Sequence, residues 1–330
     1  MNMKSIKKLS WKNILAILIG LFILVYPFAG ANSYIKHLFI LFFIWSVVAA
    51  SWNLLNGYAG ISSLGNIGFM AIGGYASGIL AKSLGLSPWI SIPIGGIITC
   101  VLVTLFLGFP ALRLSGIYIA LLSLIFADSL PSILTQTREI TGGAMGLHEI
   151  PGFIPHMEKI HAYYICFVFF LIAMFIIYRT IHSNTGLAFM ALRDSENFAT
   201  TLGVNRFRER LKVFAISSFL TGLAGGFYVH SLGDISPTTL GIEPFLLGIA
   251  MFELGGIGTF AGPILGAAVI VFGGEFLRLA GTLRLSLLGL LICLIILFFP
   301  GGIMQLVSQS ETFIRKQIKK RKPVEKVQTT

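Results

Sequence analysis

The chain has 330 residues, of which 55% are hydrophobic and only 11% charged, with a net charge of +11 and a mean hydropathy of +0.87. Soluble domains carry about 25% charged residues, so this composition excludes an ordinary water-soluble domain. The apolar runs are continuous rather than alternating in polarity, which excludes a transmembrane β-barrel and predicts an all-α, polytopic integral membrane protein.

Ten spans are predicted, at 13–29, 35–55, 61–82, 88–109, 114–135, 162–180, 211–232, 239–257, 262–280 and 284–300. Residues 1–12 form a basic N-terminal segment, 13–305 the transmembrane domain and 306–330 a basic tail. The first span also has the pattern of a signal peptide, ending in Ala29-Gly30-Ala31. Tyr26-Pro27-Phe28 fits poorly before a cleavage site, so the span is read as a retained anchor.

The next passage, "NLLNGYAGISSLGNIGFMAIGGYASG" (53–78), holds seven glycines together with Asn53, Asn56, Ser62, Ser63 and Asn66. Glycine costs roughly 1 kcal/mol in a helix interior, and polar groups facing lipid cost more. The stretch therefore either packs closely through small residues such as Gly74 and Gly78, or unwinds to line a wet cavity. A second glycine-dense passage, "GGIGTFAGPILGAA", spans 255–268, and Pro93, Pro131 and Pro244 lie in or near other spans, where each frees a carbonyl. Broken or re-entrant segments in both halves point to an internal passage, with Asn53, Gly57 and Asn66 as candidate lining. Asp128 and Glu253 are the carboxylates at membrane depth. Each must pair, take up a proton or face water; reaching the interface is the alternative to lining the pathway for both.

The longest connections are 136–161 and 181–210. The first holds His148, His156 and His161, separated by Pro151 and Pro155, and reads as a solvated loop rather than a metal site. Cys100, Cys166 and Cys293 lie inside apolar runs without CxxC spacing and read as small core residues. With an inside N-terminus and every span crossing, eighteen basic residues fall inside and six outside, together the 24 present. That bias puts both termini and 181–210 on the cytoplasmic side and 136–161 outside. The positive charge then serves topology and anionic lipid headgroups, with no call for nucleic acid. No P-loop, G-x-S-x-G elbow, H-E-x-x-H or Cys/His cluster occurs, so neither an enzyme nor an ATP-binding chain is indicated.

Within 181–210, Asp194 or Ser195 can cap a helix start and Gly203 suits the left-handed position past its end. About eight residues make a helix of roughly 12 Å, too short to stand alone. Phe198, Ala199 and Leu202 are expected to present one apolar face, either to a partner's groove or to the membrane surface.

From residue 53 onward the chain resembles the LivM-type permease subunits of branched-chain amino acid ABC importers. The stretches that carry the resemblance are "LLNGYAGISSLGNIGFMAIGGYASGIL", "RLSGIYIALLSLIFADSLPSIL" (113–134), "TGGAMGL" (141–147), "FAISSFLTGLAGGFY" (214–228), Ser236-Pro237, "GGIGTFAGPILGA" and "FFPGGI" (298–303), in the family's order. The resemblance implies an ABC importer permease fold in a bacterial cytoplasmic membrane. It further implies a pairing with a second permease of the LivH type, two ATP-binding subunits and an extracytoplasmic substrate-binding protein. No cofactor is expected on this chain, ATP and magnesium belonging to the partner subunits. The ATPase-coupling pattern of the family maps onto Arg193, Asp194, Glu196, Ala199, Leu202, Gly203 and Asn205, with Ser195 and Phe198 as departures. Cargo of Leu, Ile or Val is expected, permeases of urea and short-chain amide importers being very similar and an ion-coupled secondary transporter the more distant alternative. Thr141, Gly142, Gly143, Asp128 and Glu253 join Asn53, Gly57 and Asn66 as candidates for lining or gating.

Overall fold

The computed structural model describes residues 26–28, 32–114, 116–154, 158–298 and 301–305. The expected N-terminal segment and first span (apart from Tyr26–Phe28), the tail 306–330 and His156 lie outside the described residues. The principal helices are α1 (Ser33–Asn53), α2 (Asn66–Ser83), α3 (Pro88–Val103), α4 (Ile117–Gln136), α5 (Arg138–Thr141), α6 (Lys159–Ile181), α7 (Asn184–Asp194), α8 (Glu196–Thr201), α9 (Arg206–Leu232), α10 (Ile242–Gly255), α11 (Gly262–Phe276) and α12 (Arg284–Phe298). Among the described residues the only pairing of β type is an isolated bridge between Leu147 and Ile235.

By length and composition, five of these helices suffice to cross a membrane: α1 with its continuation to Tyr58, α3 with its continuation to Ala111, α4, α6 and α9. They correspond to five of the ten expected spans. The span expected at 61–82 starts later, at Asn66, because residues 59–65 are not helical. The three expected after residue 239 are shorter, at 14, 15 and 15 helical residues. Gly241, Gly256 and a kink at Gly281 interrupt them.

α1 is the central helix. Nearly every residue from Phe42 to Leu55 is buried, as expected of a helix apolar on all sides. It packs on α6, α9 and α11, where Phe43 meets Tyr163 and Phe167, and Phe39 meets Phe272. Its last turn, Leu54–Tyr58, widens to i→i+5 hydrogen bonding, with Ala59 N donating to the Leu54 carbonyl at 3.1 Å. Such turns are rare and gather at functional sites.

The glycine-rich passage is unwound over its first part and packs as a helix over the rest. Residues 59–65 are unwound inside the bundle, and side chains satisfy their backbone. Ser63 N donates to Asn56 Oδ1, Leu64 N donates to Ser123 Oγ, and Trp52 Nε1 donates to the Ser63 carbonyl. From Asn66 the passage is a packing helix against α9. A Cβ on Gly73 would fall on the backbone of Gly222, and one on Gly225 would fall on the Met70 carbonyl. Gly225→Leu is therefore expected to cost about 2 kcal/mol or more by forcing these backbones apart, read as a lowered unfolding temperature in detergent. Wild-type stability in that variant would contradict this packing.

At the end of the bundle away from α7 and α8, the 142–154 loop is strapped down. Ile150 N donates to the Gly233 carbonyl at 2.9 Å, and Lys82 Nζ to the His148 carbonyl at 2.7 Å. Buried His230 donates from Nδ1 to the Pro151 carbonyl at 2.7 Å, while its Nε2 faces Ser77 and Ser91. Of the cysteines read as core residues, Cys166 is buried and Cys100 partly so, but Cys293 is exposed. Hydropathy cannot separate residues that face protein from residues that face lipid.

Candidate functional site

Three segments remote in sequence meet at the end of the bundle where Arg193, Arg206 and Arg210 gather. They are the widened turn ending α1, the loop after α10, and the corner between α7 and α8. Asn53 binds the first two together. Its Nδ2 donates to the Thr259 carbonyl at 2.9 Å, and Gly258 N donates to its Oδ1 at 2.8 Å. The approach is so close that a Cβ on Gly57 would overlap both Asn53 Oδ1 and Gly258 N.

Arg193 brings in the third segment. Its Nη1 donates to the Gly57 carbonyl at 2.9 Å, and its Nη2 lies 2.8 Å from Asp194 Oδ1. The Arg193 stem crosses Gly60, which has φ +65°; a Cβ there would come within 2.6 Å of Arg193 Cγ. A guanidinium presents several donors in a rigid fork, so one side chain can hold a carbonyl and a carboxylate at once.

The corner itself is built from caps. Ser195 Oγ accepts from Phe198 N and starts α8, leaving Asp194 to Arg193. Gly203 turns the chain with φ +88°, and Asn205 Oδ1 accepts from Arg208 N to start α9. α8 has six residues, fewer than the eight expected, and α7, capped by Ser183, precedes it where only a connection was expected. The expected shared face of Phe198, Ala199 and Leu202 is divided. Phe198 and Leu202 are 65% and 68% exposed, whereas Ala199 is 1% exposed. Residues i and i+4 share a face, but i+1 is rotated by about 100°, which turns Ala199 inward.

Glu196 does not project outward. Its Oε1 pairs with Arg206 Nη1 and its Oε2 with Arg210 Nη2 at 2.8 Å, while Arg210 Nη1 donates to the Ala111 carbonyl at 3.0 Å. This clasp ties α8 to α9 and to the end of α3. Between the corner and residues 59–62 lies a cavity of 260 Å³ lined by Gly60, Ser62, Arg193, Glu196, Glu209 and Arg210, among others.

Of the other candidates, Glu253 lies on the turn that leads into the 256–261 loop, its carbonyl accepting from Gly256 N at 3.2 Å, and the rest lie elsewhere in the bundle. Asn66 is buried against α9, donating to Ser217 Oγ at 3.3 Å. Glu253 is partly buried in the last turn of α10. Thr141 folds its hydroxyl onto the Leu134 carbonyl, and Gly142 and Gly143, at φ +75° and +65°, form the turn that follows. Asp128 is exposed on α4. Arg210 and the double role of Glu196 were not visible in the sequence, because ten and fourteen residues across a glycine turn correspond to no helical spacing.

The family described as "Branched-chain amino acid transport system / permease component" matches residues 34–299. The chain is 28% identical to the high-affinity branched-chain amino acid transport system permease protein LivM of Salmonella typhimurium over 288 residues, which is 79% of this chain and 68% of that protein. Against the protein of the same name from Escherichia coli K12 it is 29% identical over the same shares. A probable branched-chain amino acid transport permease protein LivM from Methanocaldococcus jannaschii is 24% identical over 72% of this chain and 79% of that protein. No solved structure matches. The helical bundle, its glycine-broken α1–α2 passage and these similarities together place the chain in the permease-component family of branched-chain amino acid transport systems.

Proposed function

We propose that this chain is one of two permease subunits of an ABC importer that carries Leu, Ile or Val across a bacterial inner membrane. A LivH-type subunit is its permease partner, two ATP-binding subunits drive it, and an extracytoplasmic binding protein delivers cargo to the end that bears the 142–154 loop. Both termini lie in the cytoplasm on this reading, together with α7 and α8. The chain itself holds no cofactor; ATP and magnesium bind the partner subunits.

The observation that carries the reading is the Arg193 junction. α8 presents Phe198 and Leu202 outward, as a short helix seated in another protein's groove does. Two residues before its N-cap, Arg193 holds the Gly57 carbonyl at the broken end of α1. A displacement of α8 by an ATP-driven partner therefore reaches, through one side chain, the turn that Asn53 ties to the 256–261 loop. Asn53 and Gly57 act here as gating residues, and Glu196, Gly203 and Asn205 shape the coupling corner.

The test is reconstitution of the full complex in vesicles. ATP-dependent uptake of radiolabelled leucine, competed by isoleucine and valine, is the expected outcome. Uptake of urea without leucine would overturn the cargo, and leucine movement by the chain without any ATPase would overturn the mechanism.

A further inference from the structure

α4 is the long apolar helix least covered by the rest of the chain. Ile119, Ser123 and Ala127 face inward, one turn apart, and the rest of the surface is largely open. On that open side Tyr118, Leu121, Ile125, Asp128, Ser132 and Thr135 are all exposed. They follow one another at steps of three and four residues, which places them on a single face. The first three are apolar or aromatic and the last three polar, so the face divides at about mid-helix.

Asp128 marks this face as something other than a lipid contact. It is the twelfth of the twenty residues of α4. At 1.5 Å per residue it therefore lies roughly 16 Å from one end and 12 Å from the other. A carboxylate at that depth against hydrocarbon is costly, and its short stem cannot reach either surface. α6 supplies the contrast. Its exposed Val168, Leu171, Ile172 and Phe175 carry no charge or polar group, as a lipid-facing surface requires. Close to Asp128, Pro131 lies inside the helix and has no N–H, so the Ala127 carbonyl loses its ordinary i+4 donor. That carbonyl belongs to the inward-facing Ala127, so on the open face Asp128 itself is the acceptor, with the hydroxyl residues Ser132 and Thr135 one and two turns further on.

We propose that this face of α4 is a wall of the cargo passage, closed on its other side by the second permease, and that Asp128 receives the ammonium group of an amino acid in transit. The proposal rests on the importer reading and deepens it. A carboxylate suits an ammonium group, whose N–H donors it accepts with charge assistance, whereas neutral urea has no charge for Asp128 to answer.

The experiment uses the complete importer in vesicles, with Cys100, Cys166 and Cys293 replaced for the labelling arm. Asp128→Asn keeps size and removes charge. It is expected to lower maximal leucine uptake about tenfold or more, the worth of one charge-assisted hydrogen bond, while binding-protein-stimulated ATP hydrolysis persists. Asp128→Glu is expected to restore much of the uptake, which a merely structural aspartate would not require. Ser132→Cys is expected to react with a membrane-impermeant cationic thiosulfonate, more slowly when cargo-loaded binding protein is present, while Ile172→Cys on α6 stays unreactive. Wild-type uptake by Asp128→Asn, or reaction of Ser132→Cys with lipid-soluble maleimide alone, would overturn the proposal. Failure of the wild-type complex to take up leucine would instead overturn the importer reading, so the two failures are distinguishable.

Discussion

Replacing Arg193 with alanine is expected to separate ATP hydrolysis from transport: leucine uptake by the assembled complex falls about tenfold or more while hydrolysis continues. The guanidinium is the described side chain that joins the α7–α8 corner to the Gly57 carbonyl, at 2.9 Å. A hydrogen bond from a charged donor contributes roughly 1.5–3 kcal/mol, and about 1.4 kcal/mol corresponds to a factor of ten. Arg193→Lys is expected to recover little, because a single ammonium does not reproduce a fork that holds both the Gly57 carbonyl and Asp194. An independent perturbation comes from the other side of the contact. Gly60→Ala places a methyl group against Arg193 Cγ and displaces the stem without altering any charge. If the contact transmits motion, Gly60→Ala uncouples in the wild-type background and adds little once Arg193 is already alanine, which a double-mutant cycle measures. Equal loss of hydrolysis and uptake in Arg193→Ala would show that the residue serves assembly instead.

The second large effect is expected at Glu196. Its two oxygens answer two arginines, and Arg210, with a side chain only 14% exposed, is the more buried of them. Removing the carboxylate leaves that guanidinium with backbone carbonyls as its remaining partners. Breaking one side of a partly buried, hydrogen-bonded charge pair costs about 1–3 kcal/mol, whereas an exposed pair contributes less than about 1 kcal/mol. Glu196→Gln is therefore expected to lower the unfolding temperature in detergent and to speed amide exchange over residues 194–204. Arg206→Ala, which loses the more exposed bond at 37% side-chain exposure, is expected to cost less than Arg210→Ala. The reverse order would mean that the clasp is held through Arg206. Unlike Arg193→Ala, these variants should depress hydrolysis and uptake together, since they loosen the whole corner on which an ATPase would seat.

The contrast between Arg193 and Glu196 shows how far local chemistry carried the reading. Both belonged to one short charged motif, and both were expected to face a partner. In the folded chain one reaches inward to the end of α1 and the other turns back on α9. Nothing in their immediate neighbours distinguishes them, because the partner atoms lie 136 residues upstream of Arg193 and ten to fourteen residues downstream of Glu196. The expected common face of Phe198, Ala199 and Leu202 fails for a related reason. Three apolar residues of a short helix name no side until the bundle offers one, and it offers Ala199 the inside.

By itself the sequence determined the class of molecule and much of its local grammar. Charge scarcity and unbroken apolar runs required helices in a membrane, the ordered glycine motifs carried the family resemblance, and Gly203 and the capping residues marked the start and stop of α8. Tertiary structure alone decided which surfaces meet. In a bilayer the residues that face lipid are as apolar as those that face protein, so periodicity, which reveals the core of a soluble domain, is nearly silent here. That is why the burial of α1, the seating of Gly225 on Met70, the shortness of α10 to α12 and the open polar face of α4 became legible only in three dimensions.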